Sequence, residues 1–302
     1  MSRFAHLYRT TTLFSLISFR SRSLRSRNPF LIAFFLLCSD VKPNPGPTTF
    51  TLCTLNIRSI VQTLRSAALC DLIDSHHPDL FCLAKTWIKP TTTFTELKHY
   101  TPPNYTFLSF PRTYSDISSL SSGGGTGFLI REPFTQLPVS HPDFSSFESS
   151  NITLKLPHTK LSVFNIYRPP PSATRRVPFS KFLDEFSSFL SLAATTPHEF
   201  IITGDFNIHL DNPTDTLTSQ FLSVLSSFNL TQQVDFPTHD KNHILDLVIT
   251  SSDSSLAPFL FTSHWSPSDY FPIFTKLSVD SIPTAVSLIL LSSFNRHQLF
   301  SL

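Results

Sequence analysis

In Ile201-Ile202-Thr203-Gly204-Asp205-Phe206-Asn207-Ile208-His209 an apolar run climbs to a glycine and then presents Asp, Phe and Asn. Alternate side chains of a strand share a face. Asp205 and Asn207 are therefore expected to point the same way, with Phe206 turned into the core. One carboxylate beside one amide at a strand end suits a hard cation and a phosphate oxygen. The same residues also fit a strand running into an Asx-type turn. On this stretch alone both readings are open.

Outward from it, strands and helices alternate. Before it, Phe179, Phe182, Leu183, Phe186 and Leu190 recur at helical spacing and predict a helix over 178–193. Residues 147–156 and 160–167 alternate and flank Pro157-His158-Thr159, the pattern of a hairpin, which runs into Tyr167-Arg168-Pro169-Pro170-Pro171. After it, a helix is expected over 215–228 with Leu217, Phe221, Leu225 and Phe228 inward. Ile244 to Ile249 reads as a strand holding one Asp246 in an apolar run, and Phe271 to Leu277 as the last strand.

Nearer the N-terminus, Phe50 to Ile57 reads as a buried strand ending in Asn56-Ile57-Arg58-Ser59. A helix follows over 59–75 with Ile60, Leu64, Ala67, Ala68 and Leu72 at its spacing. Asp79 to Ala84 is a further buried strand, ending at Lys85-Thr86-Trp87. Residues 88–122 are polar, aromatic and Pro-rich and read as a long variable connection. Gly123-Gly124-Gly125-Thr126-Gly127 turns into a strand. A Gly-rich loop cradles phosphate when a helix follows it, so here a hairpin or a close backbone approach is expected.

The bulk numbers fit one large domain with flanks. The chain has 302 residues and is 40% hydrophobic, which suffices for a sizeable core. A net charge of +2 gives no overall pull toward nucleic acid, so a nucleic-acid enzyme needs a local basic patch. Cys38, Cys53, Cys70 and Cys82 show no Cys-x-x-Cys spacing and read as reduced thiols. Phe30 to Leu37 is far too short to span a bilayer. With Arg20, Arg22, Arg25 and Arg27 before it, a secretory leader over residues 1–38 is an alternative reading. Matches to the glycosylation pattern at Asn104, Asn151 and Asn229 add little in so Ser/Thr-rich a chain.

The organisation expected is a leader over 1–47, a domain over 48–279 and an unassigned tail over 280–302. Alternating helices and strands with hairpins predict two mixed sheets with helices outside them. Polar residues then stand at strand ends in order: Asn56, Lys85, Tyr167, Asp205 with Asn207, Asp246, and Asp269 in Ser266-Pro267-Ser268-Asp269-Tyr270. A buried Asp is costly unless paired, so Asp246 needs a partner. Several such groups able to converge make a candidate site.

Asn-Ile-Arg-Ser, Thr-Trp, Gly-Gly-Gly-Thr-Gly, Tyr-Arg-Pro-Pro, Gly-Asp-Phe-Asn, Leu-Asp-Leu-Val-Ile and Ser-Asp, in this order, resemble the endonuclease/exonuclease/phosphatase superfamily. The likeness runs over roughly residues 48–279 and is greatest to the apurinic-type endonuclease domain of non-LTR (LINE) retrotransposons. Asp40-Val41-Lys42-Pro43-Asn44-Pro45-Gly46-Pro47 resembles the 2A-like ribosome-skipping peptide, with Lys42 where that pattern has Glu. The resemblance implies an α/β fold, a four-layer α/β sandwich with two mixed β-sheets flanked by helices. It implies hydrolysis of DNA phosphodiester bonds with Mg²⁺ (or Mn²⁺), a nuclear or cytoplasmic location, a monomer and no stable protein partner. By the same resemblance Asn56 and Asn207 hold phosphate or metal-bound water, and Tyr167 hydrogen-bonds the phosphate. Asp205 orients or deprotonates the attacking water, Asp269 lies near the metal, and Asp246 orients the histidine that follows the family's Ser-Asp. The chain lacks the reverse transcriptase that follows such domains in whole elements, and reads as a truncated copy.

Two positions depart from the family pattern. Lys85 stands where the family has the glutamate that is its main metal ligand, and an ammonium cannot ligate a cation. Tyr270 stands where it has histidine, and tyrosine titrates near about 10 rather than about 6.5. Each change is expected to cost roughly 10²- to 10⁴-fold in rate. A further reading has Lys85 supply its positive charge in place of the metal's; His239 and His264 are expected to be loop-surface histidines rather than a replacement imidazole. The alternatives to a weakened nicking enzyme are an inactive relic of the same domain and a superfamily phosphatase acting on phosphoinositides or sphingomyelin.

Overall fold

The computed structural model describes residues 49–112, 123–137, 143–156, 159–171 and 177–279. The leader, the 2A-like peptide, the tail and the hairpin turn at Pro157-His158 lie outside the described residues.

Among the described residues twelve strands form two six-stranded mixed sheets. The first sheet is built from β1 (Thr49–Asn56), β2 (Leu80–Ala84), β3 (Tyr105–Phe110), β4 (Thr126–Arg131), β11 (Phe259–Thr262) and β12 (Ile273–Ser278), in the order β11-β12-β1-β2-β4-β3. The second holds β5 (Thr135–Leu137), β6 (Glu148–Lys155), β7 (Lys160–Tyr167), β8 (Phe200–Asp205), β9 (Leu230–Gln232) and β10 (Asp246–Ser251), in the order β5-β6-β7-β8-β10-β9. Each sheet has one parallel pair, β1 with β2 and β7 with β8. The helices are α1 (Thr63–His76), α2 (Phe94–Lys98), α3 (Phe179–Ala193) and α4 (Thr216–Ser227). Among the described residues none is long and apolar enough to cross a membrane.

Three apolar clusters fill the spaces between layers. Phe50, Leu52, Cys82 and Phe128 of the first sheet meet Leu154, Val163, Ile201 and Val248 of the second. On the far face of the first sheet, Leu55, Phe81 and Phe274 pack with Leu69, Leu72 and Ile73 of α1. On the far face of the second, Ile202, Phe206 and Leu247 pack with Phe182, Phe186 and Phe189 of α3 and Phe221 of α4. The order helix, sheet, sheet, helix is the expected four-layer sandwich. It follows from strands with apolar residues on both faces, which must be covered twice.

Three residues placed at helical spacing are corrected. Leu64 is 86% exposed and Leu217 43% exposed, both in the first turn of their helices, and Ala67 is exposed as well. The buried face is carried by Leu69, Leu72 and Ile73 in α1 and by Thr218, Phe221 and Leu225 in α4. The connection over 88–122 contains α2 and β3. A Thr93–Glu96 capping box starts α2.

Candidate active site

The period of two along each strand sends one set of side chains into the space between the sheets. On β8 these are Ile201, Thr203 and Asp205; on β10, Asp246 and Val248; on β7, Val163, Asn165 and Tyr167; on β1, Leu52, Thr54 and Asn56. At the end of the sandwich this inner row turns polar. Pairing places Tyr167 beside Asp205 and Asp205 beside Asp246. From the opposite sheet, the Asn56 amide donates to Asp205 Oδ2 at 2.6 Å. Two other bonds tie the sheets together below it: Thr54 Oγ1 to Thr203 Oγ1 at 2.5 Å, and Asn165 Nδ2 to the Leu83 carbonyl at 3.0 Å.

Gly204 makes the approach possible. Its φ is +129°, and a Cβ there would lie 2.0 Å from the Ile166 carbonyl oxygen. After Asp205 the chain turns. Phe206 is fully buried, as expected, while Asn207 enters the left-handed region at φ 48°. The Asn207 amide donates to Asp205 Oδ1 at 3.1 Å, which is an Asx turn. The two readings of this stretch are therefore one structure, a turn that also presents a site. Arg168 braces it: its buried guanidinium donates to the carbonyls of Phe206 at 3.2 Å and Asn207 at 3.1 Å, and the Asn207 side chain donates back to the Arg168 carbonyl. Arg168 itself rests on the rings of Phe179 and Phe182.

Lys85 follows β2 with φ 54°, a left-handed conformation uncommon for a non-glycine residue and concentrated at functional sites. Its Nζ lies 3.4 Å from Asp205 Oδ2 and 5.1 Å from the centres of both the Tyr167 and the Tyr270 rings. Burial raises the Asp205 carboxyl, with Lys85 and the bonds from Asn207 and Asn56 opposing it. Burial, with the Asp205 carboxylate next, lifts Asp246 well above the ordinary range. Neither Asp246 oxygen has a hydrogen bond of good geometry among the described residues, and the nearby Thr238 hydroxyl only partly offsets the rise. The Tyr167 and Tyr270 hydroxyls are held as phenols, by burial first and by Asp205 second.

Asp269 sits at the rim. Its Oδ2 takes a 2.6 Å bond from Arg58 and lies 3.4 Å from His239 Nε2. His239 is not a loop-surface residue. It is 7% exposed, bridges to Tyr270 and stacks edge-on against its ring at 4.6 Å. Thr238 and Phe271 pair through the backbone and carry His239 inward. His264 is exposed, as expected. The signal missed for His239 was the His-Asp pair close before a buried strand. Arg58 and Arg168 were not singled out because an arginine in a loop ordinarily reads as a solvated charge.

The Gly-rich loop is a close approach, as expected. Gly125 donates to Glu148 Oε2 at 2.6 Å, Glu148 pairs with Arg112, and the Arg112 guanidinium lies 5.6 Å from the Tyr167 ring centre. Two exposed tryptophans stand in loops at this end, Trp87 at 37% and Trp265 at 48%.

A sequence model of the Endonuclease/Exonuclease/phosphatase family matches residues 53–269. The chain belongs to that family. Solved structures share the fold. The endonuclease domain of TRAS1, a telomere-specific non-LTR retrotransposon, aligns with a TM-score of 0.56 at 12% identity over 77% of this chain and 99% of its own. The AP endonuclease LMAP from Leishmania major gives 0.61 at 15% identity over 80% and 91%. The mannosyl-6-phosphatase Bt3783 of Bacteroides thetaiotaomicron VPI-5482 gives 0.53 at 16% identity over 76% and 99%. None of the curated proteins matches the chain in sequence.

Members of this family are metal-dependent hydrolases, so the fit of a divalent cation needs testing. The Asn56 amide is engaged by Asp205, and its oxygen accepts from the Arg58 amide. At position 85 an ammonium already occupies the space beside Asp205. A cation brought there meets a like charge at contact distance, which is unfavourable in a low-dielectric site. His239, Asp240 and Asp269 do offer ligand atoms within 4.8 Å of one another; Arg58 claims Asp269 Oδ2, while Asp269 Oδ1 is buried without a hydrogen-bond partner among the described residues. The metal set formed by position 85 with Asp269 and Asn56 does not fit a divalent cation in this chain.

Proposed function

We propose that this is a retrotransposon-type endonuclease domain that holds a DNA phosphodiester and hydrolyses it slowly, using the Lys85 ammonium where the family uses a metal-binding carboxylate. The observation that carries this is the Lys85 Nζ, 3.4 Å from Asp205 Oδ2 and framed by Tyr167 and Tyr270. A phosphodiester gains negative charge in its transition state, and fixed positive charge and donors lower that barrier. Lys85 and the Asn207 amide meet the non-bridging oxygens, and the two phenols donate hydrogen bonds to them. Asp205 orients the attacking water and takes its proton as the new P–O bond forms. The P–O bond to the sugar breaks, and the leaving oxygen takes a proton from water. Without an imidazole at position 270 to supply that proton, the step is slow. The family match and the likeness to the TRAS1 domain support DNA as the substrate.

A second reading is binding without turnover. The Lys85–Asp205 pair favours it, because a base locked to an ammonium is a weaker base. Nicking of supercoiled plasmid, with Mg²⁺ or with chelator, separates the two when the native chain is run beside Lys85→Glu/Tyr270→His. Slow nicking indifferent to chelator, with a Mg²⁺-dependent gain of roughly 10²-fold or more in the double variant, is expected. A silent native chain with an active double variant selects binding alone. Strong Mg²⁺-dependent nicking by the native chain, or no gain in the variant, overturns the assignment of Lys85.

A further inference from the structure

Beyond Asn207 the chain continues along the entry to β10. The Leu210 amide donates to the Ile244 carbonyl at 3.2 Å, extending the β8–β10 pairing past both strand ends. This brings His209, Asp211 and His243 together on the surface. Asp211 Oδ1 accepts from the Ile244 amide at 3.0 Å, and its Oδ2 lies 3.0 Å from His243 Nδ1. His209 Nδ1 is 3.9 Å from the same carboxylate, and the two imidazoles stand edge to face with ring centres 4.3 Å apart. The backbone under the cluster is fixed, since the His209 carbonyl accepts from the buried Thr218 hydroxyl at 3.0 Å. None of the three residues takes part in the site described above.

We propose that His209, Asp211 and His243 form a zinc site that clamps the exit of β8 to the entry of β10. One ligand atom from each residue lies within 4.8 Å of the other two. Tetrahedral zinc with ligands at about 2.0–2.2 Å sets them roughly 3.4 Å apart; His243 Nδ1 stands 3.0 Å from Asp211 Oδ2 and His209 Nδ1 3.9 Å from Asp211 Oδ1, so each imidazole is near that spacing from one oxygen of the carboxylate. Two imidazoles and one carboxylate select zinc or cobalt over magnesium or calcium, which prefer oxygen alone. The bond from the Ile244 amide orients the carboxylate from behind, as partners of metal ligands do. The exposed side of the cluster leaves the fourth position to water. The ion would fasten the segment carrying Asn207 to the one leading into Asp246. This inference stands independently of the chemistry proposed for Lys85.

The test is titration of the full chain with Co²⁺ and, by calorimetry, with Zn²⁺. One equivalent of Co²⁺ should give a tetrahedral d–d spectrum without a thiolate charge-transfer band. One equivalent of Zn²⁺ should raise the melting temperature. His209→Ala, His243→Ala and the isosteric Asp211→Asn should each weaken Zn²⁺ binding by more than roughly 100-fold, beyond the loss of an outer partner. His239→Asn should leave it unchanged. Far-ultraviolet circular dichroism in chelator establishes that each variant is folded, and Asp211→Asn keeps the acceptor for Ile244 if an alanine variant is not. No tetrahedral spectrum, a thiolate band, or binding lost in His239→Asn and kept in the other three would overturn the site.

Discussion

Single residues set both the shape and the chemistry of the site. Gly204 admits no side chain, because a Cβ would sit 2.0 Å from the Ile166 carbonyl oxygen and φ is +129°. Gly204→Ala should therefore destabilise the fold by about 3 kcal/mol or more, read as the shift of the urea midpoint. Asp246 is held well above its ordinary 3.8 by burial and then by Asp205. An acid raised in the folded state binds its proton more tightly there. Its contribution is fully present below the unfolded value and is lost as pH rises through the folded one. Asp246→Asn, which carries no charge, should then be more stable than the native chain at about pH 7, with the gain shrinking toward about pH 4. Denaturant midpoints across that range decide it, and an unchanged difference at both ends would refute it.

At the scale of elements, the layer outside the second sheet is built largely of phenylalanine rings packed on one another. Phe186 of α3 stacks on Phe182, Phe189 and Phe221 and meets Phe206 edge-on, with centres 5.4 to 5.7 Å apart. Phe186→Ala should cost about 3–5 kcal/mol. Leu64→Ser, on an exposed first turn, should stay within about 0.5 kcal/mol. Chemical unfolding of the two variants side by side checks both. The long elements were legible because each repeats its period over several residues, as α3 does with Phe179, Phe182, Phe186 and Leu190. The short ones were not. β9 has three residues, β5 three and β11 four, too few for any period to stand out, and β11 lies at a sheet edge with half-exposed side chains. Site residues at the ends of buried strands, such as Asn56, Asp205 and Asp246, were legible because polar groups interrupt apolar runs there. His239 was not, because its burial comes from a bridge to Tyr270, thirty-one positions along the chain, that no local pattern announces.

At the scale of the whole molecule, the site belongs to neither sheet. Asn56, Lys85 and Tyr270 come from the first and its loops; Tyr167, Asp205 and Asp246 come from the second. The bonds from Asn56 to Asp205 and from Thr54 to Thr203 exist only while the sheets face each other. The candidate site is therefore a property of the assembled sandwich. The tryptophans give a direct way to watch it. The chain has two, Trp87 and Trp265, and the clusters that fill the core contain neither. Emission excited selectively from indole thus arises wholly at the mouth of the site, with no contribution from the many buried phenylalanines. A short DNA oligonucleotide entering the site should quench or shift that emission in a saturable way, and native-like emission with no response would place binding elsewhere. The molecule carries its own optical reporter in the loops beside the candidate site.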